Sequence, residues 1–193
     1  MANITKDEEV KAAILEAAKR VFQKWGFSKT TMEDIAHEAG KGKSTLYYYF
    51  KSKDDIFREF TINELDVIIG KAKDSTAGVS SAKEKLKTYV STILIEMKNT
   101  ISLFPLIKGE IKGNAELTEQ LLNLLHEKEE AIVLEILKQG LASGEFHFLN
   151  KKNLVKAANV LVGMSRGLAL YLFVDNEDSE KMDLATRFIS NGI

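Results

Sequence analysis

The stretch Gly40-Lys41-Gly42-Lys43-Ser44-Thr45-Leu46-Tyr47-Tyr48-Tyr49-Phe50-Lys51-Ser52-Lys53 holds three of the chain's five tyrosines. They stand side by side between lysines. One helix face cannot bury three consecutive side chains, so some of these rings must point outward. Leu46 and Phe50 are four apart and share a face. That face predicts a short helix over about 43–50, with Thr45, Tyr47, Tyr48 and Tyr49 at or near its surface.

The segments on either side complete a pattern. Val10, Ile14, Ala17, Ala18, Val21 and Phe22 recur at helical spacing, with Thr5 and Glu8 as a capping box and Gly26 as a stop. Thr31 to Ala39 reads as a second, short helix, with Glu33 and Asp34 at its dipole-favoured start. Gly40-Lys41-Gly42 is a tight turn. Helix, glycine-containing turn, helix is the layout of a helix-turn-helix. Hydroxyls and lysines at an exposed helix start suit the major groove. Tyrosine and threonine reach phosphates or base edges, while Lys43, Lys51 and Lys53 supply charge. The blander alternative is a partly buried tyrosine cluster and a solvated lysine face.

The rest of the chain also reads as helix. There is one proline, Pro105, and no stretch alternates apolar and polar residues over a strand's length. Ser52 with Asp55 caps a fourth helix running to about Asp74. Ala77-Gly78-Val79-Ser80-Ser81 is a loop, and further helices are expected over 81–98, 101–111, 115–142, 151–174 and 179–191. The expected fold is therefore all-α with about nine helices. It comprises an N-terminal helix-turn-helix domain at 1–52 and a helical ligand-binding and dimerisation domain at 53–193.

Composition narrows the function. The net charge is −1, so an anion-binding surface must be local, and Lys41, Lys43, Lys51 and Lys53 form one with no acid between them. No cysteine is present, which removes disulfides and thiolate metal sites and suits a reducing cytoplasm. The start MANITKDEEV has no apolar signal segment. The longest apolar run, Val160 to Val174, is broken by Ser165 and Arg166 and falls short of the roughly 20 residues that span a bilayer. No membrane partner is expected.

Phe22, Gly26-Phe27, Thr30-Thr31, Asp34-Ile35-Ala36, Ala39-Gly40, Ser44 to Phe50 and Ser52-Lys53 together closely resemble the DNA-binding domain of the tetracycline-repressor-like (TetR) family of transcriptional regulators. The resemblance covers about residues 7–60. It departs at the turn, where Lys41-Gly42 stands in place of the usual valine-serine. Gly42 caps a helix more weakly than serine does. The resemblance implies that Thr31 starts the second helix and contacts phosphate. It also implies that Lys43, Ser44, Thr45, Tyr47, Tyr48 and Tyr49 face DNA, and that Lys53 meets the backbone.

Two other chemistries have partial matches in the sequence. Gly42-Lys43-Ser44 matches the end of a phosphate-binding loop, but His37 stands where that loop needs its first glycine, and no buried strand precedes it. His126 and Glu130, four apart, read as a surface pair sooner than as metal ligands. No catalytic constellation is present, so neither an enzyme nor a cofactor is expected.

Ile136 to Phe146 resembles, less specifically, the close of the long helix that precedes the last two helices in this family, which form its dimer interface. Residues 154–174 are apolar nearly all round, as a helix buried on both sides must be. Leu161, Leu168 and Leu172, with Phe188 on the last helix, are the expected seam. An apolar or amphipathic effector is expected among Ile93, Met97, Phe104, Lys108, Leu121, Leu125 and Met164. The reading is a one-component repressor that binds a palindromic operator on double-stranded DNA as a homodimer and is released by that effector. The alternative is a helical protein-interaction module without specific DNA binding.

Overall fold

The computed structural model describes residues 5–99 and 115–174, with positions 180–181, 184–185 and 187–188; side chains at 98–99, 115–122, 125 and 169–174 are outside the description. Among the described residues there are seven helices and no strand: α1 Lys6–Trp25, α2 Met32–Glu38, α3 Lys43–Tyr49, α4 Lys53–Ser75, α5 Ala82–Asn99, α6 Ala115–Ser143 and α7 Leu154–Val174. The count of about nine included a helix at 101–111, which lies outside the described residues, and one at 179–191, described only at isolated positions.

Local chemistry sets the helix starts. Thr5 and Glu8 form the expected capping box, Glu8 accepting from the Thr5 amide at 2.7 Å. Thr31 and Asp34 form a second one, Thr31 Oγ1 accepting from the Asp34 amide at 3.2 Å. Ser52 Oγ accepts from the Asp55 amide at 3.1 Å at the start of α4. The last described helix begins later than expected, at Leu154 and not near 151. Asn150 and Asn153 cause the delay: each side-chain oxygen accepts from the other's amide, at 3.2 and 2.7 Å, which holds 150–153 as a turn.

Of the described residues, 5–64 and 115–118 fall in one compact unit, and 65–99 and 119–174 in a second. The division falls inside α4, twelve positions beyond the boundary drawn at 52. The physical reason is aromatic. Phe57 of α4 lies 5.7 Å from Phe22 of α1 and 4.8 Å from Phe27, ring centre to ring centre, and Ile56 and Phe60 are buried with them. The first turns of α4 thus belong to the core of the first unit.

In that unit α1 packs on α2 and α2 on α3. Ile14, Ala17, Ala18, Val21 and Phe22 are buried on α1, Met32, Ile35 and Ala36 on α2, and Leu46 on α3. The α2–α3 turn needs Gly40, whose φ of 62° lies where other residues are strained.

The second unit buries Ile68, Ile69 and Ala72 of α4, Leu86, Tyr89, Val90, Ile93 and Leu94 of α5, Val133, Ile136 and Leu137 of α6, and Leu154, Ala158 and Val162 of α7. Phe146 folds back onto α6 at Gly140, where a Cβ would stand 2.1 Å from its ring. Glu145 then binds the start of α5, accepting from Ser81 Oγ at 2.5 Å and from the amides of Ala82 and Lys83 at 3.0 and 3.1 Å. Among the described residues, no helix is long and apolar enough to cross a membrane.

Candidate nucleic-acid interface

The tyrosine run divides as the helical period requires. Leu46 is wholly buried and Phe50 is 3% exposed, so this face anchors α3. Tyr48, on the opposite side, is 77% exposed and Tyr47 44%. Lys43 and Ser44 are exposed; Thr45 and Tyr49 are half-buried. The expected surface of Lys43, Ser44, Thr45, Tyr47 and Tyr48 is therefore contiguous on one short helix. Gly42 gives its start no side-chain cap.

Two members of the set are held by acids that the sequence reading did not assign. Tyr49 donates from its hydroxyl to Asp7 Oδ1 at 2.8 Å, and its ring meets Tyr48 edge-on at 5.0 Å. The hydrogen bond to Asp7 raises the Tyr49 phenol above its ordinary pKa. The Lys43 ammonium pairs with Glu33 of α2 and lies 5.9 Å from the Tyr47 ring centre. That pairing raises Lys43 and lowers Glu33. Lys43 and Glu33 lie ten positions apart and Tyr49 and Asp7 forty-two, so no local spacing announces either contact.

Lys53 points inward. Its ammonium donates to the carbonyls of Phe27 and Thr30 at 2.7 and 2.9 Å and sits 4.2 Å from the Phe27 ring centre. It closes the α1–α2 connection from below. Thr31 is exposed, but its hydroxyl also donates to Asp34 at 2.7 Å. Lys41 and Lys51 are exposed beside α3.

The phosphate-loop alternative has no structural counterpart here: the residues before Gly40 form α2, where a strand would be required. His126 pairs with Glu130 at 3.3 Å, and Asn159 reaches the same imidazole at 2.7 Å. No group of three metal-ligating side chains occurs among the described residues.

The effector residues scatter more widely. Ile93 is buried, and Met97 packs half-buried on the second core. Met164 is 62% exposed. Phe104 and Lys108 lie outside the described residues, as do the side chains of Leu121 and Leu125. Of the expected seam, Leu161 and Leu168 pack against the chain's own core, the Leu172 side chain is outside the description, and Phe188 is 74% exposed. Exposed on α7 are Val155 and, on another side of the helix, Val160 and Met164, with Phe148 exposed before it.

The family described as bacterial regulatory proteins, tetR family, matches residues 14–60, which run from the core of α1 into α4. The HTH-type transcriptional regulator YhgD of Bacillus subtilis (strain 168) is 31% identical over 134 residues, covering 69% of this chain and 68% of that protein. The chain belongs to the tetR family of bacterial regulatory proteins. This tetR-family chain is also 28% identical over 134 residues to the fatty acid metabolism regulator protein of the same organism, covering 68% of each. The fold is shared over nearly the whole chain with the transcriptional regulator FadR from Bacillus subtilis, solved with stearoyl-CoA. The TM-score is 0.73 at 23% identity, covering 94% of this chain and 98% of that one. These relatives are transcriptional regulators, not enzymes.

Proposed function

We propose that this tetR-family regulator is a cytoplasmic repressor that binds a palindromic operator as a homodimer through α3 and is released by an amphipathic acyl effector. The observation that carries the DNA part is the contrast on one seven-residue helix: Leu46 wholly buried, Tyr48 77% exposed. A protein gains nothing in stability from a large ring held in water, whereas a base edge or thymine methyl can use it. Ser44, Thr45 and Tyr47 flank it. Lys43, once it leaves Glu33, supplies phosphate charge with Lys41 and Lys51, which are also exposed.

Dimerisation is proposed through the solvent face of α7. Val160 and Met164 are exposed apolar side chains one turn apart, and Gly163 and Gly167 on the same side have nothing within 4 Å of a built Cβ. That side, not the Leu161–Leu168 side, is available to a second chain. An acyl effector is supported by the likeness to the fatty acid metabolism regulator protein and by the apolar second core. Native mass spectrometry of the protein with operator DNA tests the reading. Two chains per duplex are expected, and one chain per duplex contradicts it.

A further inference from the structure

Three polar side chains lie in or against the apolar core of the second unit. Glu129 of α6 is 6% exposed and accepts from Arg166 Nε of α7 at 2.7 Å. Tyr89 of α5 is 2% exposed and close enough to feel both charges. Its hydroxyl has no hydrogen-bond partner among the described residues. Burial, opposed by Arg166, pushes the Glu129 carboxyl up, and burial pushes the Tyr89 phenol up further from neutrality.

This arrangement has no use in packing. Phenylalanine at position 89 would fill the same space without leaving a buried donor idle, and an idle donor is destabilising. An ion pair in an apolar interior is likewise weak support for stability, because desolvation offsets the attraction. Such groups are expected where a ligand completes them.

We propose that Tyr89, with the Glu129–Arg166 pair behind it, is a subsite for a neutral hydrogen-bond acceptor carried on an apolar chain: the carbonyl of an acyl ester, thioester or amide. The inference rests on the amphipathic-effector reading above and makes it specific. A neutral group is favoured because a carboxylate entering here would face the Glu129 carboxylate at low dielectric. A carbonyl needs only a donor, and the Tyr89 hydroxyl is one. The apolar chain follows from the neighbouring core residues. Tyr89, Ile93 and Met97 recur every four residues along one face of α5, and Val133 of α6 and Val162 of α7 stand one turn from Glu129 and Arg166.

Three probes with the same alkyl length test this on the full chain by calorimetry: dodecanoyl-N-acetylcysteamine, the dodecyl thioether that lacks its carbonyl, and dodecanoate. The wild type should bind the thioester roughly 2- to 13-fold more tightly than the thioether, the range for one hydrogen bond, and more tightly than the carboxylate. In Tyr89→Phe the thioester and thioether should bind equally, while Tm stays level or rises because no bond has been removed from the free protein. An unchanged thioester preference in Tyr89→Phe overturns the subsite but leaves an acyl effector standing. A marked fall in Tm shows the hydroxyl to be structural and also overturns it, as does a preference for dodecanoate. A wild type that binds none of the three overturns the subsite and the effector reading together.

Discussion

The Lys53 ammonium is bonded to the Phe27 carbonyl at 2.7 Å and lies 4.2 Å above that residue's own ring centre. With the Thr30 carbonyl at 2.9 Å, it ties α4 to the connection between α1 and α2. Lys53→Ala should therefore act on folding. Hydrogen bonds from a charged donor are worth ~1.5–3 kcal/mol. Thermal unfolding should show a loss of that order, and the salt dependence of DNA binding should keep its slope. A normal Tm with a slope shallower by about one would instead assign Lys53 to phosphate.

Lys43 should behave in the opposite way. Its pairing with Glu33 is on the surface, both side chains being more than half exposed, and such pairs contribute only ~0–1 kcal/mol. Lys43→Ala should leave Tm nearly unchanged and lower the salt slope by about one. Glu33→Gln frees Lys43 and should strengthen binding to every DNA sequence. Titrations of DNA binding against salt check both variants.

Neighbouring positions on α3 should separate recognition from folding. Tyr48→Ala should lose ~1–3 kcal/mol of operator affinity with little change in Tm. Leu46→Ala, at a wholly buried site, should lose ~2–5 kcal/mol of stability. Equal Tm losses in the two variants would place Tyr48 in the core.

Met164→Glu puts a charge on the exposed side of α7 that carries Val160 and should yield monomers of normal Tm that no longer bind operator. Light scattering gives the mass. Leu161→Ala, which cuts into the chain's own core, should reduce stability without a selective loss of dimer.

Glu145 gives the stability curve an acid limb. The Ser81 hydroxyl, the amides of Ala82 and Lys83, and Ser143 hold its carboxyl down at about 2, from an ordinary value of 4.5. A depressed carboxylate contributes stability above its unfolded pKa, and that stability is lost as pH falls toward the folded value. The loss should run from about pH 4.5 to about pH 2. Denaturant titrations across that window should be flatter for Glu145→Gln.

What the sequence disclosed was local. The box of Thr5 and Glu8, the cap of Ser52 on Asp55 and the Leu46–Phe50 face are set by spacings of three and four, and each recurs in the fold. The turn at 150–153 has no such mark, because an asparagine pair competes with helix by side-chain bonds that apolar periodicity does not register. The bonds of Lys53 to backbone carbonyls of its own chain carry no sequence signature, so the sequence offers only a cation for the DNA backbone. Tyr89, Glu129 and Arg166 come from three helices, so no window of sequence contains all three. Apolarity all round residues 154–174 signalled two buried sides but not which side meets the home core.

If α3 reads DNA from a symmetric dimer, the sequences it selects carry that symmetry. Selection of bound duplexes from a random DNA library by the purified full chain, followed by sequencing, tests it most directly. The account predicts an enriched palindrome whose half-sites lie about one helical turn, roughly 34 Å, apart, and loss of that enrichment with Tyr48→Ala. Enrichment of no palindrome, or of the same one by Tyr48→Ala, would contradict it.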